Sequence, residues 1–147
     1  MKNSTGSDPL FIDTWGWLVP ANNQDPSYRF VLNLRVEDAQ RGVRWVTSDY
    51  VLDETITHLF AAAPHSEARK FAGAILESGE LGTLSIETVN AERFQAAWRL
   101  RLRYRDKPRV SFTDLTSFAL MRELGIRRVL TGDAHFRRAG LGFVTLP

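Results

Sequence analysis

Four carboxylate residues follow the predicted strands of this sequence or lie on the helices that leave them. Asp13 follows the first predicted strand, and Asp133 follows the fourth. Glu54 lies about two turns into the helix after the second strand, and Asp114 lies in the first turn of a later helix. Functional groups of parallel α/β proteins gather beyond the carboxyl ends of the strands, so we expect these four side chains to meet at one edge of a sheet.

Several carboxylates cannot stay ionised in one small pocket unless a cation neutralises them. Mg²⁺ and Mn²⁺ prefer oxygen ligands, and such ions activate water for in-line displacement at phosphorus. The basic residues suit a phosphodiester substrate. Of the 19 Lys and Arg residues, all but Lys2, Lys70 and Lys107 are arginine, whose planar fork matches phosphate. The pattern therefore suggests metal-dependent cleavage of a nucleic acid.

Each acid also has a structural explanation. Asp13 could accept hydrogen bonds from a helix N-terminus, and Asp114 completes a sequence close to a capping box. Asp133 could belong to a turn, and Glu54 could lie on a solvated helix face. The functional interpretation therefore depends on the four acids taken together.

Short apolar runs alternate with helical patterns in the order β-α-β-α-α-β-α-α-β-α-β. Gly42 and Gly125 end two helices, and Ser111 and Asn90 cap two others. The predicted strands cover residues 10–12, 43–47, 81–86, 128–131 and 143–146. The predicted helices cover residues 26–41, 48–63, 64–76, 91–105 and 111–124, with a short one within 132–138.

This order predicts an α/β fold with a central, mainly parallel sheet and helices on both faces. The length of 147 residues favours one domain, residues 10–147, preceded by a flexible tail, residues 1–9. The absence of cysteine excludes disulfides, thiolate zinc sites and thiol catalysis. No apolar run has the length of a membrane span or of a signal peptide, so we expect no membrane contact and a cytoplasmic location.

Four stretches in this order resemble the PIN-domain nucleases, and within them the VapC-like toxins of bacterial and archaeal toxin–antitoxin pairs. They are Phe11–Thr14, Thr47–Thr55, Ser111–Asp114 with Ser117–Met121, and Leu130–Phe136 running into Ala139 and Gly140. Gly132 departs from the family pattern, and we expect it to loosen the fourth turn.

The resemblance implies a Mg²⁺- or Mn²⁺-dependent endoribonuclease inhibited by a cognate antitoxin protein. By position in the motifs, the metal-site acids would be Asp13, Glu54, Asp114 and Asp133. Thr14, Ser111 and Thr131 would support them. The alternative is a catalytically silent RNA- or protein-binding domain on the same fold.

Four arginines precede the Ser111 motif and could contact RNA. Arg99 with Arg103, and Arg101 with Arg105, form two stripes at helical spacing, and an anionic partner would relieve their repulsion. A solvated helix face would explain the same pattern.

Two further groups of side chains suggest interactions. Trp15 and Trp17 follow Asp13 and could stack on bases or belong to the core. Apolar residues on the first and second predicted helices, residues 26–41 and 48–63, could remain outside the core and form a two-fold homodimer. They are Phe30, Leu34, Leu59 and Phe60.

Overall fold

In the computed structural model, which describes residues 7–147, five strands form one sheet in which every neighbouring pair is parallel. The order across the sheet is β3-β2-β1-β4-β5, so β1 is central. The strands are β1 (Leu10–Ile12), β2 (Trp45–Ser48), β3 (Leu84–Glu87), β4 (Arg128–Leu130) and β5 (Val144–Leu146).

The connections from β1 to β3 run across the sheet in one direction, and those from β3 to β5 return in the other. Right-handed crossovers therefore place the two sets of helices on opposite faces. The helices are α1 (Thr14–Leu18), α2 (Tyr28–Arg41), α3 (Asp49–Ala62), α4 (His65–Glu80), α5 (Ala91–Arg103), α6 (Phe112–Leu124) and α7 (His135–Arg138), with a 3-10 turn at Val19–Ala21. None of the helices in residues 7–147 combines the length and apolar character that a bilayer span requires.

The predicted α/β fold is confirmed, with several corrections. The sheet is entirely parallel rather than mainly parallel, and α1 was not predicted. α4 continues through Gly79 to Glu80, whereas the sequence predicts an end near residue 76. α5 ends at Arg103 rather than residue 105, because Tyr104 leaves the helical conformation. The predicted N-terminal tail lies outside the described residues except for residues 7–9.

The predicted helix ends are correct at both glycines and both caps. Gly42 and Gly125 follow α2 and α6 with φ of 70° and 68°, a conformation that suits glycine. Asn90 and Ser111 accept hydrogen bonds from backbone N–H groups in the first turns of α5 and α6. These caps fix where the two helices begin.

β1 lies in the core, and its three residues Leu10, Phe11 and Ile12 are fully buried. All three are paired with β4, and Leu10 and Phe11 are also paired with β2. Asp13 therefore leaves the centre of the sheet at its carboxyl edge from a strand that cannot shift without disturbing the core.

Packing between α1 and the strands predicts a cost for adding one methyl group. A Cβ at Gly16 would lie 2.9 Å from both Ile12 Cγ2 and Leu130 Cδ2. We expect Gly16→Ala to lower the free energy of unfolding by about 1–2 kcal/mol, because overpacking costs about 1–3 kcal/mol and exceeds the helix gain. Gly73 in α4 has no atom within 4 Å of such a Cβ, so Gly73→Ala should stabilise by up to about 1 kcal/mol. Urea denaturation measures both, and equal effects would refute the packing argument.

Candidate active site

Asp13 is 5% exposed and has one carboxylate oxygen without a partner. Its Oδ2 accepts a hydrogen bond of 2.8 Å from the Thr131 hydroxyl, whereas its buried Oδ1 has no hydrogen-bond partner. Burial raises the pKa of Asp13 to about 6, with smaller contributions from the charges of Glu54 and Asp133 and opposition from its hydrogen bonds. This oxygen is therefore a buried acceptor at the sheet edge that no hydrogen bond satisfies.

Asp114 is brought to the same edge by the start of α6. The Ser111 hydroxyl accepts a 3.0 Å hydrogen bond from the Asp114 N–H group, and this cap sets where the helix begins. The pKa of Asp114 is raised to about 8. Burial is the largest cause, and the negative charges of Asp13, Asp133 and Glu54 also raise it. The charges of the other three predicted acids thus all act on Asp114.

Asp133 is oriented by the turn after β4. The Thr131 hydroxyl, which donates to Asp13, also accepts a 3.0 Å hydrogen bond from the Asp133 N–H group. The His135 N–H group donates to Asp133 Oδ1 at 2.8 Å. One hydroxyl therefore orients two of the acids.

Glu54 is held by α1, the helix that the sequence did not predict. The Thr14 hydroxyl donates a 2.7 Å hydrogen bond to Glu54 Oε2 across 40 residues of chain. Thr14 is buried and Glu54 is half-buried. Thr14 and Ser111 thus each contact one of the acidic residues, and Thr131 contacts two. Their supporting role stays a prediction.

His135 is a member of the cluster that the acidic pattern did not include. Its Nδ1 lies 3.5 Å from Asp114 Oδ2 and 3.7 Å from Asp133 Oδ1, and it has no hydrogen-bond partner. Ligand atoms of Asp114, Asp133 and His135 lie within 4.8 Å of one another. The proximity of His135 to Asp133 in sequence was the one available indication.

The turn at Gly132 is not loose, which corrects the expectation from sequence. A Cβ at Gly132 would lie 2.6 Å from the Trp15 ring, so the absence of a side chain lets the indole pack against the turn. Trp17 is buried and donates to the Thr47 hydroxyl at 3.2 Å, so it belongs to the core rather than to a base-stacking surface.

The donor set fits a hard divalent cation. The carboxylates offer the oxygen atoms that such an ion prefers, and Asp13 Oδ1 has no partner. The raised pKa values of Asp13 and Asp114 fit carboxylates whose charges lack compensation. An ion such as Mg²⁺ or Mn²⁺ would supply that compensation. The direct ligands among the four acids stay a prediction.

The four predicted RNA-binding arginines have different surroundings. Arg99 and Arg103 are exposed on α5, and Arg105 is exposed beyond its end. The Arg101 guanidinium instead donates to the backbone carbonyl groups of Tyr104, Lys107 and Val110 at 2.7–2.8 Å. The predicted Arg101–Arg105 stripe is therefore wrong, because Arg101 turns inward and Arg105 has left the helix.

Comparison with known proteins gives the class to which this fold and site belong. A family model of the PIN domain matches residues 11–141. The chain belongs to the PIN-domain family, in the branch that contains the VapC toxins.

One relative is VapC20 from Mycobacterium tuberculosis, a 23S rRNA-specific endonuclease. It is 32% identical over 131 residues, which cover 89% of this chain and 94% of VapC20. The crystal structure of VapC20, a Sarcin-Ricin loop cleaving toxin, matches with a TM-score of 0.77 over 92% of this chain and 96% of that chain. VapBC2 from Rickettsia felis matches with a TM-score of 0.67 at 16% identity, covering 93% of this chain and 96% of that chain, and so supports the fold alone.

The raised pKa values predict how the metal-free protein responds to pH. A carboxyl group whose pKa is raised in the folded state favours folding while it is protonated. This contribution to the free energy of unfolding is complete below about pH 4. It is lost as the pH rises through about 6 for Asp13 and about 8 for Asp114. In EDTA we therefore expect the melting temperature to fall between pH 5 and pH 8.5. Mg²⁺ or Mn²⁺ should restore it at the higher pH by binding the native state.

Substitution of one acid separates this effect from general pH sensitivity. Asp114→Asn should melt several degrees above the wild type at pH 8 in EDTA, since 1 kcal/mol shifts the melting temperature by about 2–4 °C in a chain of this size. Asp53→Asn removes an exposed aspartate from α3 and should have little effect. An Asp114→Asn curve that follows the wild type would mean that the acids do not repel one another.

Proposed function

We propose that this protein is a divalent-metal-dependent endoribonuclease and the toxin of a toxin–antitoxin pair. The observation that carries the proposal is the buried, uncompensated carboxylate of Asp13 beside three further acids. The relationship to VapC20, a 23S rRNA-specific endonuclease, supports RNA as the substrate. We place the activity in the cytoplasm, where its RNA substrate would be.

In this proposal, Asp13, Glu54, Asp114 and Asp133 hold Mg²⁺ or Mn²⁺. The bound ion would activate water and stabilise the charge that develops on phosphate and leaving oxygens. The chain's own contribution is orientation. The Thr131 hydroxyl turns Asp13 Oδ1 towards the site by occupying Oδ2, and the Thr14 hydroxyl fixes one oxygen of Glu54.

The first test removes one charge at nearly constant volume. Asp13→Asn should lower RNA cleavage by more than about 100-fold, because even changes to the partners of metal ligands cost about 10–100-fold. It should fold normally, since it removes a desolvated charge. Asp53→Asn is the matched control and should cleave like the wild type, while EDTA should stop cleavage by both active proteins.

Full activity of Asp13→Asn, or cleavage that EDTA leaves unchanged, would contradict the proposed chemistry. RNA binding without cleavage by the wild type in either metal would instead favour the catalytically silent domain.

The substrate that we propose is ribosomal RNA, following VapC20 and its Sarcin-Ricin loop. Incubation of ribosomes with the protein and primer extension across the 23S rRNA would locate the cut. One metal-dependent cut within the Sarcin-Ricin loop is the expected result. Cleavage only of transfer or messenger RNA would support the ribonuclease activity and exclude ribosomal RNA as the target.

A cognate antitoxin is the proposed protein partner. Related folds occur in structures of the VapBC complex from Salmonella typhimurium and of FitAB, which share 17% and 15% identity with this chain. We propose that a small antitoxin blocks the acidic site. Co-purification with the product of a neighbouring short reading frame, together with loss of cleavage, would support this partner.

We also propose a homodimer, but not all of the apolar residues first considered can contribute. Phe30 and Phe60 are 40% and 41% exposed, whereas Leu59 is buried and Leu34 packs against the core. Sedimentation at micromolar concentration should give twice the 16.7 kDa chain mass. Phe60→Ser should weaken the dimer, and a single 16.7 kDa species for the wild type would reject it.

A further inference from the structure

A basic groove of about 540 Å³ lies beside the acidic site, outside the arginine stripe predicted from sequence. Its walls are the loop between α5 and α6 and one side of α7. The lining residues are Asp106, Lys107, Pro108, Arg109, Val110, His135 and Arg138. We call this surface the basic groove.

The basic groove carries positive charge that the protein leaves available. Lys107 pairs with Asp106 at 3.0 Å, so these two charges offset each other. Arg109 and Arg138 are exposed, and neither forms an ion pair with any residue in the range 7–147. Two guanidinium groups therefore remain for an anionic ligand.

The walls of the basic groove are fixed from below. Arg101 donates to the carbonyl groups of Lys107 and Val110, and to that of Tyr104, so one guanidinium holds three points of the loop. The Tyr104 hydroxyl donates a 2.9 Å hydrogen bond to the Ala139 carbonyl at the end of α7. This bond joins the α7 wall to the loop wall. The groove is thus a built feature rather than a chance gathering of surface arginines.

His135 connects the basic groove to the acids. It lines the groove, and its imidazole lies 3.5 Å from a carboxylate oxygen of Asp114. An RNA whose scissile phosphate lies at the acids would therefore pass an adjacent part of its backbone along the groove. Cationic side chains there attract the strand without competing for the metal, because they supply no oxygen ligands.

We propose that the basic groove binds an RNA backbone phosphate flanking the scissile one, with Arg109 and Arg138 as its contacts and Arg101 as the positioning residue that holds the loop. This inference rests on the proposed ribonuclease function and assigns the path of its substrate. Because phosphate contacts carry no sequence information, the groove would contribute equally to the binding of different RNAs.

The test is a salt titration of binding to a labelled single-stranded RNA. Ca²⁺ replaces Mg²⁺, and a gel checks that the RNA stays intact. Arg109→Gln with Arg138→Gln should weaken binding about tenfold or more and flatten the log–log salt dependence by about 0.7, the contribution of one neutralised phosphate on a single strand. Both residues are exposed, so the double variant should keep the wild-type melting temperature.

The charge-matched control is Arg41→Gln with Arg44→Gln. Both residues are exposed. Arg41 is the last residue of α2 and Arg44 directly precedes β2, at the opposite edge of the sheet from the acids. Binding by this control should match that of the wild type. Equal losses in the two double variants would mean that only overall charge matters and would overturn the proposal.

A second comparison separates the basic groove from the exposed face of α5. Arg99→Gln with Arg103→Gln tests that face alone. The groove proposal would be wrong if the Arg99→Gln, Arg103→Gln variant had a flatter salt dependence of binding while the Arg109→Gln, Arg138→Gln variant bound like the wild type. That result would place the RNA on α5. If the wild type neither binds nor cleaves RNA in Mg²⁺ or Mn²⁺, the proposed ribonuclease function is wrong. If the wild type cleaves RNA and the groove variant binds it equally well, only the proposed role of the groove is wrong.

Arg101→Lys tests the positioning role, because it keeps the charge but loses the planar fork that reaches three carbonyl groups. We expect KM for RNA to rise about tenfold with kcat nearly unchanged, since misplaced contacts weaken binding and leave the acids in place. Mn²⁺ affinity should stay at the wild-type value. A fall in kcat and Mn²⁺ affinity with unchanged KM would show that Arg101 supports only the fold, and would overturn its assigned role.

Discussion

Ionising several carboxylates in one buried site is unfavourable, because desolvation and mutual repulsion both oppose it. The structure concentrates this cost at one place. Burial raises the pKa of both Asp13 and Asp114, and the neighbouring acids raise each further. Within residues 7–147 no lysine or arginine forms an ion pair with these four acids, and His135 Nδ1, 3.5 Å from Asp114 Oδ2, has no hydrogen-bond partner. The site is therefore organised for a cation from solution.

The surrounding elements hold these charged side chains in position. Central β1 delivers Asp13 from a fully buried strand, and the caps and turns of neighbouring elements orient the other acids. Hydroxyl groups are suited to this task because they orient a carboxylate without neutralising it. The Thr131 hydroxyl connects Asp13 with the turn that carries Asp133, so two acids from distant parts of the chain share one reference point.

Much of this arrangement could be predicted from the sequence. The strand Leu10–Ile12 is a short apolar run, and Ser111 and Gly125 mark both ends of α6, so the fold class and the edge that gathers the acids follow from local patterns. α1 could not be predicted in this way, because a helix of five residues with two tryptophans and a glycine shows no helical periodicity. Packing against the strands and against the turn at Gly132 orders it instead. Arg101 shows the same limit, since its spacing on the helix matches a solvated stripe while its guanidinium satisfies carbonyl groups of a loop that only the tertiary structure brings near.

The central claim is that at neutral pH Asp114 carries a bound proton until a cation replaces it. Calorimetric titration of the metal-free protein with Mn²⁺ at pH 7, repeated in buffers of different ionisation enthalpy, counts the protons released on binding. With the pKa of Asp114 near 8 and that of Asp13 near 6, the wild type should release about one proton, and Asp114→Asn should release far fewer. Mn²⁺ binding without proton release by the wild type, or with undiminished release by Asp114→Asn, would contradict the account.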